Sequence, residues 1–212
     1  MSLFDRLTEK SWLSPGSERF ADPADYRPAA SAVALYAYFG VAASVFSLMA
    51  AAYLMRMGHS GMGQHGETGD WRAMPEPVLL WINTGVLVVS SLAWESARRS
   101  AMAGARDRMR LMTQAGGVLS LVFLAGQLLL WRQYESAGYY LASNPANAFF
   151  YMLTAAHGLH LAGGLVGCAR ALGQMGEKSE DERARRTVGL CAIYWHFLLL
   201  VWVLLAGLLV LT

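Results

Sequence analysis

Apolar residues in this chain fall into five long runs, and the charged residues lie in blocks between them. The runs cover about 31–55, 77–94, 111–131, 148–169 and 188–211. A helix rises about 1.5 Å per residue, so about 20 apolar residues cross a hydrocarbon core of about 30 Å. The pattern predicts an all-α polytopic membrane protein, a bundle of five transmembrane helices. Residues 1–30 read as a polar tail and 31–212 as the membrane domain.

The runs differ in what they carry. The first is uncharged, and Ala43, Ser47 and Ala51 recur every four residues, which predicts a small-residue face for close packing. Pro77 opens the second, which holds Asn83, Thr84, Ser90 and Ser91. Glu95 closes it at the membrane surface, before a basic connection, ARRSAMAGARDRMR. Gln127 is the one strongly polar residue of the third. Tyr134, Tyr139 and Tyr140 suit an interfacial belt, and Asn144-Pro145 reads as a turn. The fifth opens TVGLCAIYWHFLLLVW, with Trp195 and His196 side by side.

The fourth run organises the rest. From Phe149 to Gly167, FFYMLTAAHGLHLAGGLVG, it has no charge, yet His157 and His160 sit near its middle. Three residues apart on a helix places them on one face. Gly163, Gly164 and Gly167 follow, small enough for a helix or lipid to approach the backbone. Polar groups deep in an apolar helix are costly, so this face is expected to meet protein, water or a lipid headgroup rather than acyl tails. The expected neighbours are the second and fifth helices, through Asn83, Ser90 or His196, and a phospholipid headgroup.

Composition agrees with a membrane protein. The hydrophobic fraction of 55% is high against about 45–50% in soluble domains. The net charge of +2 is too small to suggest nucleic acid, and no phosphate loop, nucleophile elbow or zinc-type spacing appears. Cys168 and Cys191 each lie in an apolar run and are expected as packed free thiols. No short apolar core with a cleavage site precedes the first run, so no cleaved signal peptide is expected. In the tail, Pro15, Pro23 and Pro28 argue against a long helix; Trp12 and Phe20 could anchor a partner. The loop after the first span carries Met57, His59, Met62 and His65, soft ligands that could bind copper, although a flexible exposed loop is the favoured reading.

Of the 17 Lys and Arg, fourteen lie in the tail, the second loop and the fourth loop; Arg56, Arg72 and Arg132 lie on the other side. The bias predicts a cytoplasmic N-terminus and a C-terminus outside. No repeat between halves is evident, which argues against an inverted-repeat transporter.

Three segments carry a resemblance. LLWINTGVLVVSSLAWESARR is similar to an Asn-Thr and double-Ser helix, FLAGQ with WRQYESAGYYLASNPANAFFYMLTAAHGLHLAGG to the next two helices, and IYWHFLLLVW to a last helix. In that order and spacing they resemble subunit III of the haem-copper respiratory oxidases, the cytochrome c oxidase subunit 3 family. Residues 31–212 look like the last five helices of a family whose commonest form has seven. Two family carboxylates are missing, with Ala42 and Leu130 in their places. Groups sometimes assigned there to lipid anchoring or proton handling are therefore absent.

The resemblance implies a subunit of a proton-translocating oxidase that is not itself catalytic. No cofactor is expected on this chain, haem and copper belonging to partner subunits. Expected partners are catalytic subunit I, subunit II, phospholipids and a respiratory supercomplex, in a bacterial inner membrane. The expected roles are aerobic electron transport, oxygen access, proton uptake and stability in turnover. His157, His160, Gly163, Gly164, Gly167, Trp195, His196, Asn83 and Gln127 are the candidate lipid or helix contacts, and no catalytic or metal residue is expected. Quinol oxidase and nitric oxide reductase accessory chains share the motifs. Outside this class stand a transporter or channel, suggested by polar residues within the spans, and a metalloenzyme built on His157, His160 and His196.

Overall fold

The computed structural model describes residues 30–61, 75, 77–174 and 181–211. It divides into two units, Met1–Tyr36 and Ala37–Thr212, and of the first the described part is the opening of one helix, residues 30–36. Five helices carry the described residues: α1 (Ala30–Gly61), α2 (Val78–Met102), α3 (Arg106–Ser136), α4 (Pro145–Gln174) and α5 (Asp181–Leu211). All five are long and apolar enough to cross a membrane. No strand occurs among the described residues.

The helix ends follow from local chemistry. Pro77, extended at φ −78° and ψ 144°, immediately precedes α2. At the other end Gly104 adopts φ +73°, and the Ala105 N–H returns to the Ser100 carbonyl at 2.9 Å, closing the last turn. The basic segment 97–110 was expected to be a connection after Glu95. It is helical except for residues 103–105. Ala, Arg and Met are good helix formers, and Gly104 alone supplies a break. Helix α3 likewise outruns its apolar stretch and stops before Gly138, at φ +89°. Asn144 Oδ1 accepts the Ala146 N–H at 3.0 Å ahead of α4, whose first residue is Pro145.

Within the larger unit, α2 packs most closely on α3 and also on α5, while α4 packs on α5 and α3. Small residues permit the α2–α3 approach. A Cβ at Gly116 would stand 2.7 Å from Trp94 Nε1, and one at Gly126 would overlap the Asn83 carboxamide. Leu87, Trp94, Phe123, Leu130, Leu153, Leu161, Trp195, Leu198 and Trp202 fill the centre, each fully buried. Ile82, Val89, Leu92, Leu121, Leu128, Leu159 and Leu204 point outward. Helices apolar on all sides fit a hydrocarbon solvent.

Helix α1 is peripheral: 11% of its most apolar window is buried, against 33–39% in the other four. Its small-residue stripe, Ala43, Ser47 and Ala51, is exposed rather than packed within the chain. Contact is made by Ala42, Phe46 and Tyr53 on another face. Phe39 stacks on Phe197 at 4.3 Å, and Tyr53 meets Phe149 edge-on at 5.6 Å. Aromatic rings span a gap that small side chains would leave open.

Candidate functional site

The candidate residues resolve into separate neighbourhoods, each built where a side chain of one helix meets another helix. The first is a carboxamide pair between α2 and α3. Asn83 Nδ2 donates to the Phe123 carbonyl at 3.1 Å and to Gln127 Oε1 at 3.3 Å. Both side chains are buried. Gln127, singled out as the one strongly polar group of its span, thus joins helices together.

His157 points inward from α4 and is fully buried. Its ring stands edge-on to Phe123 at 5.8 Å and 5.0 Å from Trp202, and neither ring nitrogen has a hydrogen-bond partner among the described residues. Trp202 itself donates Nε1–H to Thr84 Oγ1 at 3.0 Å, and Thr84 donates on to the Leu80 carbonyl. His157→Leu removes two buried nitrogens that no side chain or carbonyl serves, so thermal stability of the solubilised protein is expected to hold or rise. A drop in melting temperature would mean that the ring is paired.

His160, one turn on, diverges toward α1. It is half-buried, 5.1 Å from the Phe46 ring and 6.0 Å from Tyr38. Nδ1 lies 2.7 Å from the Ala156 carbonyl, which can only accept, so the proton sits on Nδ1 and Nε2 is left as an acceptor. The His160 carbonyl accepts the Tyr194 hydroxyl at 2.6 Å. The two histidines therefore meet α3, α5 and α1. Asn83, Ser90 and His196 bond elsewhere.

The glycines separate. A Cβ at Gly164 would stand 2.5 Å from Tyr194 Cε1 and 3.0 Å from the Trp195 ring, so α5 seats directly on that backbone. Gly167 allows an ordinary 3.6 Å contact with Cys191 Sγ. Gly163 is exposed, and a Cβ there would meet nothing within 4 Å in this chain. Cys168 and Cys191 are free and buried.

On α5, Trp195 is fully buried. It stacks on Trp94 at 4.5 Å and donates Nε1–H to Ser120 Oγ at 2.7 Å. Ser120 lies 3.0 Å from Ser90 Oγ, which is 3.0 Å from the Gly116 carbonyl. The next residue turns to the other side. His196 Nε2 faces Glu95 Oε2 at 3.3 Å, and Nδ1 faces Ser91 Oγ at 2.6 Å. The carboxylate can only accept, so Nε2 donates to it, and the Ser91 hydroxyl bonds the other ring nitrogen. Ser91 is 2% exposed, and this line of groups ties α2 to α5. Glu95 is also held by Arg98 at 2.8 and 2.9 Å and by Arg99 at 2.9 Å.

Ser91 and Glu95, four residues apart on α2, share a face and meet the same imidazole. Thr84, Ser120 and Trp202 were not readable as partners in the sequence, because their roles depend on distant helices. Leu130 and Ala42, where the family often has carboxylates, are both buried. No group of three or more His, Cys, Asp or Glu side chains able to hold a metal occurs among the described residues. Of the candidate copper ligands, Met62 and His65 lie outside the described residues, as do Trp12 and Phe20 of the tail.

Five helices long and apolar enough to cross a membrane, four of them packed on one another, define a multi-pass membrane protein of the helical-bundle class. The family described as cytochrome c oxidase subunit III matches residues 36–210. The chain belongs to that family, and is thus a subunit of a respiratory haem-copper oxidase that associates with other oxidase subunits. It is 30% identical to "Probable cytochrome c oxidase subunit 3" of Mycobacterium bovis over 65% of this chain and 69% of that protein. It is 26% identical to "Cytochrome c oxidase subunit 3" of Thermostichus vulcanus over 92% of this chain and 94% of that protein. It is also 23% identical to "Cytochrome bo(3) ubiquinol oxidase subunit 3" of Pseudomonas aeruginosa, over 75% and 74%.

Proposed function

We propose that this chain is the non-redox subunit III of an aerobic, proton-translocating cytochrome c oxidase in a bacterial inner membrane. In this reading it packs on catalytic subunit I, in a complex that also holds subunit II, and holds phospholipid against the His160 face. It borders the oxygen route and supports proton uptake, keeping the complex active through many turnovers. Haem and copper reside on the partners. The observation that carries the non-redox reading is that His157, His160 and His196 meet three different sets of neighbours instead of converging on one point. Family membership supports the rest. A quinol oxidase is the second reading, favoured by the Pseudomonas aeruginosa relative.

Deleting the chain is expected to leave the haem spectrum of the catalytic subunit intact and initial oxygen consumption present, while activity decays faster during turnover. Loss of haem from the remaining complex would contradict a non-redox role. Purification in gentle detergent with cytochrome c and quinol as alternative donors separates the two oxidase readings. The basic bias supports a cytoplasmic N-terminus. A reporter after Thr212 should be active outside the cytoplasm and one near residue 103 inside; the reverse pattern would overturn that orientation.

A further inference from the structure

His196 joins two helices through both of its ring nitrogens. Nε2 stands 3.3 Å from Glu95 Oε2 and Nδ1 2.6 Å from Ser91 Oγ, both on α2. The His196 side chain is 44% exposed and that of Glu95 17%. A proton therefore reaches the ring, while the carboxylate beside it is only partly screened. Imidazole is the side chain that ordinarily changes charge between about pH 5 and 8.

Both protonation states fit the same geometry. The carboxylate can only accept, so Nε2 carries a hydrogen in either state. With the ring neutral, Nδ1 accepts from the Ser91 hydroxyl. With the ring charged, Nδ1 donates to Ser91 Oγ, and the hydroxyl hydrogen turns to the Leu87 carbonyl, four residues back. Thr84 and Ser100 already make that bond on the same helix, to the Leu80 and Ser96 carbonyls at 2.8 Å each. Neither state strands a donor or an acceptor. What differs is one positive charge placed 3.3 Å from a carboxylate.

The surroundings set the sign. From α2 the charged groups are Glu95, Arg98 and Arg99, and both guanidiniums bond the Glu95 carboxylate at 2.8 to 2.9 Å. They hold that carboxylate in place and oppose a further positive charge. The imidazole bonds the carboxylate itself, so the attraction is the closer interaction. From α3, Ser120 meets α5 at Trp195, on the buried side. From α4 and α1, His160 and Tyr38 meet α5 at Tyr194, two residues before His196 and about 200° round the helix.

We propose that His196, Glu95 and Ser91 form a proton-sensitive clamp between α2 and α5, tight when the imidazole is charged and looser when it is neutral. The extra hold is present at low pH and is lost as the pH rises and the ring gives up its proton. The clamp lies beside the end of the bundle where Ala97 and Ala101 of α2 share a buried cluster with Ala184 and Val188 of α5. Acidification at that end fixes the opening turns of α5, and alkalinisation releases them. The device is internal to the chain and works alike in a cytochrome c oxidase or a quinol oxidase.

The test is hydrogen–deuterium exchange of the detergent-purified oxidase assembly carrying the full chain, at about pH 6 and about pH 8, corrected for intrinsic exchange rates. Amides of the α5 segment 184–196 are expected to exchange roughly threefold more slowly at the lower pH. His196→Gln keeps both bonds, the new amide donating to Glu95 and its carbonyl accepting from Ser91, but takes up no proton. It should match the parent at the higher pH and show no slowing at the lower. Glu95→Gln removes the negative charge and should lose the slowing as well. Equal exchange of the parent at both pH values overturns the proposal. So does slowing of parental size in His196→Gln, which would assign it to another group, or in Glu95→Gln, which would leave the carboxylate without a part. If either variant fails to assemble, the parental α4 segment across His157 and His160 is the reference. Slowing confined to α5 upholds the clamp, and slowing of equal size in both segments overturns it. The haem spectrum of each preparation reports separately on the subunit III reading.

Discussion

Replacing Gly164 with leucine is expected to remove the chain from its assembly. Even a single added carbon meets the Tyr194 ring at 2.5 Å and the Trp195 ring at 3.0 Å. Neither ring has room to retreat. Tyr194 is tied through its hydroxyl to the His160 carbonyl, and Trp195 is fully buried, stacked on Trp94 and bonded to Ser120. Overpacking in a well-filled core costs about 1–3 kcal/mol, and more where neighbours are fixed. Gly164→Ala should therefore lower the melting temperature of the solubilised assembly, and Gly164→Leu should prevent recovery with a haem-containing partner. Gly163→Ala, one residue away in open space, should behave as the parent, and Gly167→Ala nearly so. Equal tolerance at 163 and 164 would show that α5 does not seat on this backbone. His160→Leu, by contrast, should weaken lipid retention only modestly.

Trp195→Ala is expected to have the second large effect. Trp195 is among the largest fully buried side chains, and it joins three helices: it belongs to α5, lies on Trp94 of α2 and donates to Ser120 of α3. Truncating a buried aromatic costs about 3–5 kcal/mol, from lost contacts and from the cavity left behind. Melting of the purified complex should come markedly earlier, with the chain dissociating before its partners unfold. Trp195→Phe keeps a ring against Trp94 and loses the N–H donor, so its cost should be nearer 1 kcal/mol. A Trp195→Ala protein that melts with the parent would remove the Trp94–Trp195 stack from the centre of the packing account.

Much of this was legible in the chain. Five apolar runs become five helices because a helix satisfies its own backbone, and a segment in hydrocarbon has no other partner for those groups. Gly164 was readable as a close-approach residue. Other features were less legible. Gly163 and Gly164 are identical in sequence and opposite in environment, since adjacent residues on a helix point about 100° apart and only α5 decides which is covered. The α1 stripe is uncovered within the chain for the same reason. Small residues permit close packing, but Phe46 and Tyr53 set the actual face.

The amino-acid sequence alone determined the five membrane-crossing helices, the place where Pro77 opens α2, and the three motifs that mark the family. These depend on contacts within a few residues or on composition over one turn after another. The tertiary structure alone decided who bonds whom: Asn83 with Gln127, Trp195 with Ser120, His196 with Ser91 and Glu95, and His157 among aromatic rings. Each partner lies on another helix, tens of residues away in the chain. Pairing at that range follows from the rotation and register of whole helices, which local periodicity leaves open.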